Sequence, residues 1–509
     1  MEIELKLEID AASRGKLRRH PVIEELGDGN PEEDELTAIY FDTPEFILRE
    51  HGAGLRVRKT RGRWIQTLKA GGSVKGGLHQ RDEWETPVDG AVPALDQLAS
   101  MVDAGSPLSA LLKQASLADT LQPVFRVKVR RTTWHLRDGD SLVELVLDEG
   151  SVQREERKLP VSEIELELKE GEPGRLYAIA LRLLDGVPLR LSNVSKAQRG
   201  YALCRQEERA PVKAAPVVLP PSPTLEDGLQ ATALNCLAQM QANEAAVMES
   251  GNSESLHQMR VGLRRLRSAL KLFEAAAPCP ADLQEELRWL GEALGEARDW
   301  DVLSSSTLAR VGGVGDASFP ALHTAMDEVM RGKRNQAGAA LRSPRYTRLM
   351  IGMFAWTLGK QWRGTAAPDH VKQLEAPLKA FAGKAVKQGH KRILKRGRNI
   401  RHAPPEELHR LRIAGKRNRY AVEFFAPLYR SKRLRKYLGA LSAMQDELGW
   451  RNDVAVGGRL LRHLETEKPE AAASAAYARG FLAAHVSGNE RKLRKTWKRF
   501  READLPQLR

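Results

Sequence analysis

Cysteine is scarce in this 509-residue chain. Cys204, Cys236 and Cys279 stand far apart, with neither the spacing of a metal site nor the makings of a disulfide framework. A reducing compartment, the cytoplasm, is therefore expected. No run of 18 apolar residues occurs. The longest apolar stretch, Met350–Leu358, is too short to span a bilayer, so no membrane partner is expected. The N-terminus carries acids where a signal peptide would place basic and then apolar residues. Aromatics make up only 6% of the chain and are sparse in its basic stretches. That argues against base stacking, and nucleic acid is not the expected partner.

At this length two or more domains are expected. The net charge of +15 is unevenly placed: residues 225–509 hold 49 Lys and Arg against 30 Asp and Glu, and residues 1–224 hold 32 against 36. The second part alone carries the excess, which calls for an anionic partner there.

The chain opens with Glu2-Ile3-Glu4-Leu5-Lys6-Leu7-Glu8-Ile9, a strict alternation of charged and apolar residues. This is the period of a β-strand with one polar face. Similar segments follow at 55–58, with Arg56 and Arg58, and at 66–69, with Lys69. Others are 81–85, with Arg81 and Glu83; 125–136, with Arg126 and Arg131; 142–148, with Glu144 and Asp148; and 163–168, with Glu163, Glu165 and Glu167. Short helices are expected near 9–25, 94–101, 108–114 and 174–184. Two arrangements accommodate the charged rows. In one, a closed sheet turns them inward around a polyanion and a divalent metal. In the other, they form a single wet face.

The ordered set Glu2-x-Glu4-x-Lys6, Arg56-x-Arg58, Thr67-Leu68-Lys69, Arg81-x-Glu83, Arg131 with Trp134, Asp148-x-Gly150, Glu165-x-Glu167 and Ser195-Lys196…Arg199-Gly200-Tyr201 resembles the CYTH superfamily, the triphosphate tunnel metalloenzymes. The resemblance implies an α+β domain over 1–205 built on an antiparallel eight-stranded barrel. It implies Mg²⁺ or Mn²⁺ as cofactor. Glu2, Glu4, Glu165 and Glu167 would hold the metal and position a water, with Asp148 and Glu83 as further acids. Lys6, Arg56, Arg58, Lys69, Arg81, Arg131 and Lys196 would clamp phosphates. The expected activity is hydrolysis of inorganic triphosphate. Organic triphosphates, adenylyl cyclase chemistry, and a non-catalytic polyphosphate-binding or granule-associated protein with a degenerate tunnel remain as alternatives.

Residues 206–224 are rich in proline (Pro211, Pro216, Pro220, Pro221, Pro223) and read as an extended connector. After it, over 225–509, helical segments take over and a repeat appears. His257, Arg260, Arg264, Arg267 and Lys271 share their spacing with His409, Arg412, Lys416, Arg419 and Glu423, 152 residues later. Such spacing puts each set on one helical stripe. Leu294–Asp299 and Leu448–Asp453 repeat at almost the same offset. The pattern suggests two related, pseudo-symmetric helical bundles, and it resembles the CHAD domain. The resemblance implies a cradle for inorganic polyphosphate and association with polyphosphate granules. Asp299 and Asp453 are expected to orient the basic side chains. Glu423, where the first copy has Lys271, makes unequal halves.

Overall fold

The computed structural model describes residues 2–60, 62–205, 210–310, 319–364, 368–488 and 490–509. Residues 206–209 at the start of the expected connector lie outside the described residues. The chain forms two compact units: residues 1–209 with 344–359, and residues 210–343 with 360–509.

The first unit is a closed antiparallel barrel. Its strands are β1 (Glu2–Ile9), β2 (Glu32–Asp42), β3 (Ala53–Thr60), β4 (Arg63–Lys75), β5 (Leu78–Val88), β6 (Gln122–Asp138), β7 (Ser141–Arg154) and β8 (Arg157–Glu170). Their order is β5-β4-β3-β2-β6-β7-β8-β1. A β5–β1 pairing closes the ring, and the short β9 (Leu189–Leu191) adds to β1. The alternation seen in the sequence sorts side chains as the closed arrangement requires. Outward residues Phe41, Leu55, Val57, Leu68 and Ala70 form a core with Leu95, Leu98, Leu111 and Leu112 of two short helices. On the far side, helix α1 (Gly174–Leu183) buries Leu176, Ile179, Ala180 and Leu183 and contacts β1 and β8.

Two local expectations are corrected. Strand β2 was not anticipated, because it is apolar on both faces: Leu36, Ala38 and Tyr40 line the interior while Ile39 and Phe41 pack outside. The helix expected over 9–25 is broken into a 3-10 turn at Ala11–Ser13 and helices at Arg14–Leu17 and Pro21–Leu26. Pro21 fits only the start of a new helix.

Helix α2 (Lys196–Cys204) opens with a Ser195–Gln198 capping box. Phe125 lies so close to Gly200 that a Cβ there would sit 2.1 Å from its ring. The Tyr201 hydroxyl donates to Asp42 Oδ2 at 2.7 Å, and its ring meets Phe125 edge-on. These contacts carry Lys196 to the barrel interior.

The second unit is helical. Its principal elements are α3 (Leu225–Ser250), α4 (Ser253–Phe273), α5 (Gly295–Val302), α7 (Leu378–Arg396), α8 (Pro405–Phe424) and α9 (Ser431–Glu467). Helix α6 (Pro344–Leu358) belongs to the barrel unit. In α4, Asn252 caps the first turn through Ser255 N at 2.9 Å. Leu256, Met259, Leu263, Leu266, Leu270 and Phe273 are buried, leaving the opposite face to the basic stripe. No described helix is long and apolar enough to cross a membrane.

Candidate active site and a basic groove

The barrel encloses a cavity of about 280 Å³. Eight acids line it (Glu2, Glu4, Glu83, Glu85, Glu144, Asp148, Glu165, Glu167) with eight cations (Lys6, Arg56, Arg58, Lys69, Arg81, Arg131, Lys169, Lys196). Each Glu, Asp, Lys and Arg named from the sequence for the tunnel, apart from Glu8, Arg126, Glu163 and Arg199, therefore faces one space. Leu36, Ala38, Tyr40, Val127 and Val129 form an apolar stretch of the wall.

Register explains the arrangement. Glu4 pairs with Glu167, which pairs in turn with Glu144, so three carboxylates sit side by side across β1, β8 and β7. Like charges directly opposite repel. Lys169 answers part of this, at 2.6 Å from Glu167 and 3.5 Å from Glu144. Burial, with Glu2 and Glu144 nearby, still raises the Glu167 pKa. Burial and the Glu2 charge, against Lys69, push Glu83 up to about 7. The Lys69 ammonium lies 2.5 Å from Glu2 and 3.3 Å from Glu83.

A second cluster is satisfied by its own cations. Arg131 bonds Asp148 through two nitrogens, at 2.9 and 2.7 Å, and Glu165 at 3.2 Å. Asp148, Glu163 and Glu165 bring oxygens within 4.8 Å of one another. The Lys196 ammonium contacts all three at 2.6, 2.5 and 3.0 Å. Lys6 bonds Glu165 and lies 2.9 Å from Glu4. Burial opposes the charge on Glu165, but Lys196, Lys6 and Arg131 outweigh it and hold its pKa well below the usual range. Lys196 is raised by Asp148, Glu163 and Glu165 despite its burial.

The donor set fits a divalent cation at the Glu4–Glu167–Glu144 row, with Glu2 beside it. Hard carboxylate oxygens are the ligands such ions take, and a cation there would relieve the repulsion. Across the cavity, the Nε atoms of Arg56 and Arg58 are buried with no hydrogen-bond partner. Buried donors normally have partners, and phosphate oxygens would supply them.

In the second unit, α4 and α8 share a groove of about 500 Å³. Arg264, Arg267 and Lys271 line it from one helix; His409, Arg412, Lys416, Arg417 and Tyr420 line it from the other, joined by Arg288. The two halves of the repeat thus meet. Among the described residues, Glu274 is the one acid in the lining. Burial, reinforced by Arg264 and Arg412, pushes the Lys416 pKa down to about 7. Burial and Arg264 bring Arg260 to about 10. Burial and Arg298 bring His257 to about 4. The Nε atoms of Arg260, Arg264 and Arg412 and the Nδ1 of His257 are buried without hydrogen-bond partners. Asp453 lies 4.0 Å from Arg412, and Asn452 Oδ1 lies 3.1 Å from His409 Nδ1. Arg419 donates to Glu423 at 2.7 Å, so the departure at Glu423 neutralises the last cation of the second stripe.

Residues 1–201 match the CYTH domain family, and residues 231–462 match the CHAD domain family. The crystal structure of the CHAD domain from the plant Ricinus communis is 43% identical, with a TM-score of 0.54; the match covers 59% of this chain and 99% of that one. This chain is a CYTH–CHAD protein. The inorganic triphosphatase of Haemophilus influenzae is 34% identical over 169 residues, 33% of this chain and 46% of that protein. The chain therefore spans about half the length of this curated relative. The CYTH family implies a divalent metal.

The sequence reading missed Tyr40, Glu85 and Lys169 as lining residues. Tyr40 went with the unrecognised β2. Glu85 was visible as the next inward residue after Arg81 and Glu83. Lys169 continues the Glu165–Glu167 row by the same alternation.

Proposed function

We propose that the CYTH barrel hydrolyses inorganic triphosphate with Mg²⁺ or Mn²⁺, and that the CHAD groove binds inorganic polyphosphate. The protein would work in the cytoplasm, where the groove could keep it on polyphosphate granules. The observation that carries the reading is the facing of a carboxylate row by a row of cations inside one closed cavity. A single anion or a single metal would leave half of that set unmatched; a metal-bound triphosphate matches both halves.

Glu2, Glu4 and Glu167 would hold the metal and orient a water; Glu165, with Asp148 behind it, would join them once Lys6, Lys196 and Arg131 turn from these acids to the phosphates. When bound, the metal would lower the pKa of a coordinated water and neutralise charge on the phosphates. Arg56, Arg58, Lys69, Arg81 and Arg131 would grip phosphate oxygens, using guanidinium forks where two oxygens are offered. Lys6 and Lys196, kept charged by the acids around them, would stabilise charge on the transferring phosphoryl group and its leaving oxygen. In the CHAD groove, Arg264, Arg267 and Lys271 with His409, Arg412 and Lys416 would track a linear polyanion; His257, Arg260 and Arg419 lie outside the groove lining and would extend the track along the same stripes. The 34% identity to an inorganic triphosphatase supports this choice of substrate.

Phosphate release from inorganic triphosphate by the purified full chain, with Mg²⁺, Mn²⁺ or a chelator, tests the reading. Metal-dependent release that exceeds release from ATP and thiamine triphosphate is expected. No release from any triphosphate by a folded protein would refute the enzyme reading.

A further inference from the structure

The apolar stretch Met350–Leu358 serves neither site. It lies within α6, in the middle of the CHAD match (231–462), yet α6 belongs to the barrel unit. Ten of its fifteen residues are buried, and it contacts α1 and β9. Phe354 stacks on Tyr177 of α1, with ring centroids 6.1 Å apart and planes at 16°. The same ring covers Gly76, where a Cβ would come within 2.5 Å of it.

Gly76 and Gly77 form the β4–β5 turn, both at positive φ. The turn is held from several directions. The Tyr177 hydroxyl donates to Gly76 O at 3.1 Å, Gly77 N donates to Asn193 Oδ1 at 2.7 Å, and Lys6 N donates to Gly77 O at 2.9 Å. The barrel's closing seam starts immediately after it. There β5 meets β1 through four residue pairs: Glu2–Arg81, Ile3–Gln80, Glu4–His79 and Leu5–Leu78. This is the shortest ladder in the ring, and it carries both N-terminal carboxylates of the tunnel.

We propose that Phe354 is a positioning residue for the tunnel. A helix encoded inside the CHAD match holds the β4–β5 turn and, through it, the seam that sets Glu2 and Glu4. All described residues lining the tunnel lie before position 198, so a chain cut in the connector would keep every one of them and lose this support. The kinetic consequence rests on the triphosphatase reading; the structural consequence does not.

The test uses the full chain with Phe354→Ala, Phe354→Leu and Tyr177→Phe, followed by amide hydrogen exchange and triphosphate hydrolysis. In Phe354→Ala, exchange over Glu2–Lys6 and Leu78–Arg81 should rise about tenfold or more while β6–β8 stays protected, since stability is local. kcat should fall roughly tenfold or more with a smaller change in KM, because misplaced groups lose rate before binding. Phe354→Leu should recover most of both effects. Tyr177→Phe, which keeps the ring and removes one hydrogen bond, should give a smaller change at the same segments. Seam exchange that matches the unmodified chain, or that rises uniformly through the whole protein, would overturn the proposal. If the unmodified chain hydrolyses no triphosphate, the proposed activity fails and the exchange pattern alone decides this one.

Discussion

The tunnel and the groove both gather cations, yet they are built to opposite charge rules. In the tunnel, eight cations face eight acids, and buried charges such as Asp148 and Lys196 satisfy one another. In the groove, seven Lys and Arg residues and His409 face one acid, Glu274. The tunnel can therefore fold as a nearly neutral site, which under the proposed function would take its anion together with a metal. In the groove, burial, with Arg264 and Arg412 beside it, weakens the charge on Lys416, whose pKa falls to about 7. An anion alone would restore that charge. Matched buried charges confer position; unmatched ones confer affinity.

The contrast breaks most sharply at the carboxylate row. Glu4→Ala should cut triphosphate hydrolysis by about 100-fold or more, the scale of losing a group that acts on the transition state. Polyphosphate binding should be unchanged. Phosphate release and a binding isotherm on one preparation check both.

Stability should separate the sites next. Arg131→Ala leaves Asp148, which is fully buried, short of its bidentate partner; a loss of about 3–5 kcal/mol is expected from such a broken buried pair. Lys416→Ala should leave denaturant stability unchanged or higher, while polyphosphate affinity falls about tenfold, as for one charge-assisted contact. Urea unfolding of the two variants makes the comparison. A destabilised Lys416→Ala protein would show that the groove too depends on internal pairing.

Much of this arrangement was legible in the sequence. Strict alternation in β1, β3 and β8 put Glu2, Glu4, Arg56, Arg58, Glu165 and Glu167 on the polar faces of their strands, because period two survives folding wherever one face is apolar; that these faces turn inward came from the family resemblance and not from the period. The doubled His-x-x-Arg stripe was legible for the same reason at helical period. Strand β2 was not, since Ile39 and Phe41 on one face and Leu36, Ala38 and Tyr40 on the other erase the contrast. Nor could spacing reveal that Asp148 and Glu165 would be saturated by Lys196 and Arg131, which depends on cross-strand register. The assignment of α6 to the barrel unit, more than 150 residues beyond its last strand, was not legible: the apolar run Met350–Leu358 signals burial but not the unit it joins.

A smaller effect concerns pH. Lys416 titrates near 7 in the folded groove, against 10.5 ordinarily. Its folded pKa is depressed, so between about pH 7 and 10.5 the unfolded chain binds the extra proton and this residue favours folding increasingly as pH rises. Polyphosphate bound in the groove as proposed would favour the protonated form. Its affinity should therefore fall several-fold from pH 6 to 8.5, with proton uptake on binding near pH 8. Calorimetry in buffers of different ionisation enthalpy reads that uptake. Smallest of all, Glu423→Lys would free Arg419 and restore the symmetry with Lys271; about a two- to threefold gain in polyphosphate affinity is expected from one exposed pair.

The central claim is that one site holds its anion with a metal and the other without. The most direct test is equilibrium binding of long-chain polyphosphate to the full-length Glu4→Ala chain, titrated with and without a chelator. Equal affinity in both conditions, matching the unmodified protein, is predicted. Loss of binding on chelation, or on substitution of Glu4, would contradict the division between the two sites.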